Sequence, residues 1–271
     1  MKTIFERVEE HYKEAHEYFS DDQIVGCFLQ GSQNYQLDLP GSDVDTKLIV
    51  VPKFRDIVLN NKPVSTTHIR ANEEHIDFKD IRLYMETFRK QNLNFLEILF
   101  TPHSLVNCEY EQQWDRLEIA RERIARMNPW RAVKSMKGIA LEKFHAMEHA
   151  YPSKVAVLEQ FGYDGKQVHH LLRVHDYLQR YIDGEEYASC LIPSNNIKQH
   201  LLDYKQQLIP LEQAREEAQK ILTHTCEIAD SFCEKTPDKE DEEMRALLED
   251  VSYQILKIAV QKELGQSNFI M

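Results

Sequence analysis

Apolar residues change their spacing once along the 271-residue chain, near residue 105. Before that point they come in short β-type runs, Ile24 to Leu29, Thr46 to Val51, Thr67 to Ile69 and His75 to Phe78, interleaved with helical stretches. After it, segments 111–127, 129–150, 165–182, 194–232 and 241–264 place apolar residues three and four apart, the repeat of one helix face. The pattern predicts an α+β protein: a small mixed-sheet domain over 1–105, then an α-helical domain over 106–271. Pro129 after Asn128 suits a helix start, and Pro210 should kink or break the helix that contains it.

A 42% hydrophobic content is enough for a buried core. No apolar run approaches the roughly 20 residues of a membrane helix, and residues 1–19 read as a charged amphipathic helix, so neither a signal peptide nor a membrane span is expected. Five cysteines, odd in number and without a Cys-x-x-Cys pair, argue against a disulfide framework or a zinc site and for the reducing cytoplasm. The net charge of −12 disfavours a protein that coats nucleic acid through bulk attraction, while leaving room for a local phosphate site.

The chemistry concentrates in GCFLQGSQNYQLDLPGSDVDTKLIVV, Gly26 to Val51. Asp43 and Asp45 stand one residue apart at the head of an apolar run. On a strand, positions i and i+2 share a face, so two carboxylates would repel there unless a cation lies between them. Mg²⁺ is the simplest answer, since it prefers oxygen ligands and is commonly held by one or two carboxylates plus substrate phosphates. Upstream, Gly31 lets backbone approach a ligand closely, and Ser32 adds a hydroxyl donor, so the turn could cradle phosphate oxygens. Either feature alone is common in loops; their order along the chain is what makes them informative.

That order is an apolar run, Gly31-Ser32, about ten residues, Ser42-Asp43-x-Asp45, and a second apolar run. It resembles the signature of the DNA polymerase beta-like nucleotidyltransferase superfamily. The blocks GSQNYQLDLPGSDVDTKLIVV, HIDFKDIRLYMETFRKQNLNFLEILFT and GKQVHHLLRV look like those of its RNA-repair-associated branch, a bacterial and phage group. One departure is Gln36, which stands where the family often has glycine.

The resemblance implies transfer of a nucleoside monophosphate from an NTP to an acceptor hydroxyl, with two Mg²⁺ ions, or Mn²⁺ in their place. Asp43 and Asp45 would hold the metals. A third carboxylate would complete the site; the candidates are Asp77, which is the choice, and Asp80, which sits where a helix N-cap would be expected, with Glu74 less favoured. Gly31, Ser32 and Ser42 would bind the nucleotide. Lys47, on the strand face of Asp45, would touch a phosphate or pair with a carboxylate. Lys166, His170 and Arg173, with Tyr177, share one helical face that the resemblance sets across the cleft for the triphosphate or an acceptor phosphate; a solvated face is the plain alternative. The acceptor stays open among an RNA or tRNA end, a small molecule and a protein side chain. A catalytically silent nucleotide-binding module of the same fold is the alternative to an enzyme.

Overall fold

The computed structural model describes residues 2–267. Among the described residues five strands, β1 (Ile24–Gln30), β2 (Asp45–Val50), β3 (Ser65–Ile69), β4 (His75–Asp80) and β5 (Ser104–Val106), form one sheet in the order β3-β4-β2-β1-β5. The sheet is mixed: β2 and β4 run parallel, and the other neighbours are antiparallel. The four apolar runs of the first 105 residues all become strands, and β5 is an addition. It is three residues long and half-buried throughout, too short for a period-2 pattern to stand out.

The helices are α1 (Ile4–Ala15), α2 (Phe54–Val58), α3 (Ile81–Arg89), α4 (Leu93–Leu96), α5 (Glu111–Ile119), α6 (Arg121–Ala125), α7 (Pro129–Ala146), α8 (Val155–Phe161), α9 (Gly165–Ile182), α10 (Tyr187–Leu191), α11 (Asn195–Lys205), α12 (Leu211–Lys235) and α13 (Glu242–Ser267). The architecture is therefore α+β, with a small mixed sheet and many helices. Asn128 caps α7 by accepting from the Arg131 amide, with Pro129 in the first turn, where its missing N–H costs nothing. Pro210 separates α11 from α12, as its ring and lost donor require. No helix among the described residues is long and apolar enough to cross a membrane.

By contact the chain divides into two compact units. One holds the residues up to Asn34, Asp38–Met127 and those from Glu240 on; the other holds Tyr35–Leu37 and Asn128–Lys239. In the first unit, strict alternation along the strands splits the sheet into two faces. Cys27, Leu29, Leu48, Val50, Ile76 and Phe78 pack with Val8 and Ala15 of α1 in an apolar core. The opposite face is mixed: Phe28, whose ring lies 4.4 Å from that of Trp114 on α5, shares it with Gln30, Asp45, Lys47, Asp77 and Lys79. α13 packs on α3 and α5 of the same unit.

In the second unit α7, α9 and α12 pack on one another and α11 on α9. Gly165 lets this happen: a Cβ there would meet the Tyr204 carbonyl at 2.2 Å. Five tyrosines of this unit, Tyr163, Tyr177, Tyr181, Tyr187 and Tyr204, are buried in its core, while Trp130, Phe144 and Phe232 are half-buried.

Candidate functional site

β1 ends at Gln30, and the chain turns at Gly31 with φ +97°, a conformation other residues rarely adopt; no heavy atom lies within 4 Å of where a Cβ would stand. Asn34 latches this turn. Its side-chain amide donates to the Leu29 carbonyl at 2.9 Å, its oxygen accepts from the Thr101 hydroxyl at 2.8 Å, and its backbone N–H donates to Gly31 at 3.0 Å. Ser32, half-buried, opens the short 3₁₀ turn Ser32–Tyr35. The Ser42 hydroxyl accepts from the Leu39 N–H at 2.8 Å and so closes its own turn.

The register brings the glycine turn and the second aspartate together, because Gln30, just before Gly31, pairs directly with Asp45. Asp45 opens β2, half-buried, and its Oδ1 accepts from the His75 N–H at 2.8 Å. Asp43 lies before the strand, exposed, and its carbonyl accepts from the Gln33 side chain at 2.5 Å. The sheet therefore orients Asp45 directly and Asp43 only through the loop.

β4 runs parallel to β2 with Asp77 opposite Lys47, and Asp77 faces donors from three other strands, β1, β2 and β3. Its Oδ1 accepts from the Thr67 hydroxyl at 2.5 Å, while its Oδ2 lies 3.5 Å from the Gln30 amide and 3.8 Å from Lys47 Nζ. Lys47 is buried; its ammonium stands 4.6 Å from the Phe95 ring centroid, and Lys79 stands 4.1 Å from the same ring. Burial pulls the Lys47 pKa down to about 8, against the pull of Asp77 and Asp45 that holds the proton on. Asp80 takes a different task. Buried, it caps α3 by accepting from the Arg82 N–H at 2.9 Å and pairs with the Arg82 guanidinium at 2.7 Å.

Glu74, weakest of the carboxylate candidates for the third position, is the best buried, with no exposed surface. One oxygen pairs with Arg7 and accepts from the Val44 N–H at 3.3 Å; the other pairs with Arg70 and lies 3.1 Å from His11 Nε2. Arg7 also donates to the Ser42 carbonyl at 3.2 Å, and His11 Nδ1 lies 2.9 Å from the Thr46 hydroxyl. Residues 42–46 are thus held at three points, two through the backbone and one through the Thr46 hydroxyl. Burial drives the His11 pKa down to about 4, helped by the nearby Arg70, so the ring is neutral. Sequence reasoning missed His11, Arg7 and Arg70, because nothing in their spacing ties α1 and the β3–β4 turn to the Asp43 loop.

Among the described residues, no group of three or more His, Cys, Asp and Glu side chains is placed to hold a metal ion. Asp43 and Asp45 still suit one hard cation, since two carboxylates with water or phosphate oxygens make an ordinary Mg²⁺ shell. Asp77 is already occupied by protein donors.

The α9 residues belong to the second unit. Lys166 is exposed beside the Asp164 cap, His170 is half-buried, and Arg173 is buried with its guanidinium 3.9 Å from the Tyr35 ring centroid. Burial, then His169 and Arg173, hold the His170 pKa well below its usual value. Tyr177 is buried too, so this helical stripe is mostly packed and only Lys166 stands in solvent. Gln36, beside Tyr35, adopts φ +57°, the left-handed conformation that explains why glycine suits this position.

No protein-family model matches the chain, and no curated protein matches it. Among solved structures it is similar to a nucleotidyltransferase-like protein from Exiguobacterium sibiricum 255-15, at 11% identity and a TM-score of 0.30, over 97% of this chain and 78% of that one. A likeness so loose sets no residue of one chain upon a residue of the other.

Proposed function

We propose that this protein transfers a nucleoside monophosphate from an NTP to an acceptor hydroxyl and releases pyrophosphate. The observation that carries the reading is the strand register. Gln30 opposite Asp45, and Lys47 opposite Asp77, bring the strand that ends at the glycine turn, Asp45 and Asp77 onto one face of the sheet, with Asp43 in the loop that leads into Asp45. Gly31 and Ser32, with Ser42, receive the outgoing phosphates, the open backbone at Gly31 allowing close approach. Asp43 and Asp45 hold Mg²⁺, which when bound supplies charge neutralisation at the phosphates. The acceptor oxygen bonds to the α-phosphorus as the bond to the bridging oxygen breaks, and Asp77 accepts the hydroxyl proton. No covalent intermediate with the protein is needed; positioning and electrostatics supply the rate.

The fold of the catalytic half does not select the acceptor, so an RNA or tRNA end and a small-molecule hydroxyl both fit the same chemistry. A second reading, a nucleotide sensor without turnover, draws on the engagement of Asp77 by Thr67, Gln30 and Lys47. Calorimetric titration of ATP, CTP, GTP and UTP with Mg²⁺ tests the site, using wild type beside Asp43→Ala/Asp45→Ala. Metal-dependent binding that the folded double variant loses is the expected result. Binding unchanged in the variant would remove both aspartates from the account.

A further inference from the structure

We infer that the Lys47 ammonium takes the place of a second divalent ion, so that the site binds one metal and not two. The inference rests on the metal-dependent reading above and deepens it. A two-ion site needs a third carboxylate free to ligate, placed next to the shared pair. Here that carboxylate, Asp77, faces a cation the chain itself provides.

Lys47 follows Asp45 by two residues and so shares its face of β2; the parallel register sets it directly opposite Asp77. Its Nζ is 3.8 Å from Asp77 Oδ2, and Asp45 also acts on it electrostatically. The side chain is only 6% exposed, and Phe95 backs the ammonium at 4.6 Å. A buried lysine in such a setting has little freedom to swing away, and its charge opposes entry of a second cation at the same carboxylates. The Thr67 hydroxyl on Oδ1 and the Gln30 amide near Oδ2 take two more of the roughly four acceptor positions of Asp77, which leaves room for a proton but not for a second metal ion. Three strands thus commit this carboxylate to protein donors. Asp43 lies in a loop and Asp45 gives only Oδ1 to the His75 N–H, so the ion that binds is the one those two carboxylates share.

The test counts metal ions without measuring turnover. Mn²⁺ is titrated into the full chain with inorganic pyrophosphate present, and bound ions are counted by electron paramagnetic resonance, where a close pair of Mn²⁺ ions gives a spin-coupled spectrum. Wild type should bind one uncoupled ion per chain. Asp77→Asn should bind it within about threefold of wild type, because Asp77 is not a ligand. Lys47→Met should bind a second, coupled ion. A coupled pair in wild type overturns the inference and leaves the reading of the site standing. So does a loss above tenfold in Asp77→Asn, or a single ion in folded Lys47→Met. If Lys47→Met fails to fold, Asp77→Asn decides alone. No bound Mn²⁺ in wild type brings down the metal-dependent reading, and the inference with it.

Discussion

The Val44 amide, between Asp43 and Asp45, donates to the buried Glu74 carboxylate at 3.3 Å. Through this bond the turn joining β3 to β4 holds the loop that carries the two aspartates. Glu74 also neutralises Arg7 and Arg70, so its loss leaves two guanidinium groups and one amide short of a partner in a largely dry site. Glu74→Gln should therefore lower the unfolding free energy by about 3 kcal/mol, the order seen when one member of a buried ion pair is removed. Urea denaturation measures this. A loss below about 0.5 kcal/mol would mean that the network does not support the loop.

Stability should fall in mild acid. Burial lowers the pKa of His11, His169 and His175 to about 4 each. In the unfolded chain each returns to about 6.5, so between those values the unfolded state binds more protons. The stabilisation is complete above pH 6.5 and is lost as pH drops toward 4. Each histidine contributes a slope of at most about 1.4 kcal/mol per pH unit. Urea unfolding at pH 7, 6 and 5 should show the decline; a flat profile over that range would contradict it.

Gln36→Gly should stabilise the protein by about 1 kcal/mol, because glycine adopts φ +57° without the steric cost that glutamine bears. The exposed bond from Lys198 to the Gln36 side chain, at 3.2 Å, offsets little of this. Thermal denaturation of the two proteins checks the sign.

Gly31 and Gly184 both have positive φ, +97° and +85°, and neither has a heavy atom within 4 Å of a built Cβ. Alanine at either should cost on the order of 1–3 kcal/mol of stability through backbone strain. Only Gly31→Ala should also weaken Mg²⁺–NTP binding, by tenfold or more, since only there does the account need the backbone open to phosphate. Equal binding by the two variants would remove Gly31 from the site.

Much of this was legible in the chain. Hydrophobic period located four strands and the long helices, and Asp80 and Asn128 announced their capping roles by their places before apolar-periodic segments. Gly31, Asp45, Lys47 and Asp77 could be picked out by residue type and alternation. Their mutual placement could not, because the parallel pairing of β2 with β4 is a long-range choice that no local pattern encodes. For the same reason the roles of Thr67 and Gln30 went unread, and Glu74 was read only as a weaker metal-site carboxylate: each acts on a partner at least ten residues away. The stripe of Lys166, His170, Arg173 and Tyr177 showed the opposite difficulty. Its spacing marked one helical face, but period alone does not say whether polar groups on that face meet water or, like Arg173 above Tyr35, pack inside.

The central claim concerns which phosphorus is attacked, and label position answers it most directly. The protein is incubated with Mg²⁺ and NTPs labelled at either the α- or the γ-phosphate, with a mixed RNA and metabolite extract as acceptor. The account predicts that α-label enters the acceptor while γ-label leaves as pyrophosphate, and that Asp43→Ala/Asp45→Ala does neither. Transfer of γ-label to the acceptor, or NTP binding with no transfer of either label, would contradict it.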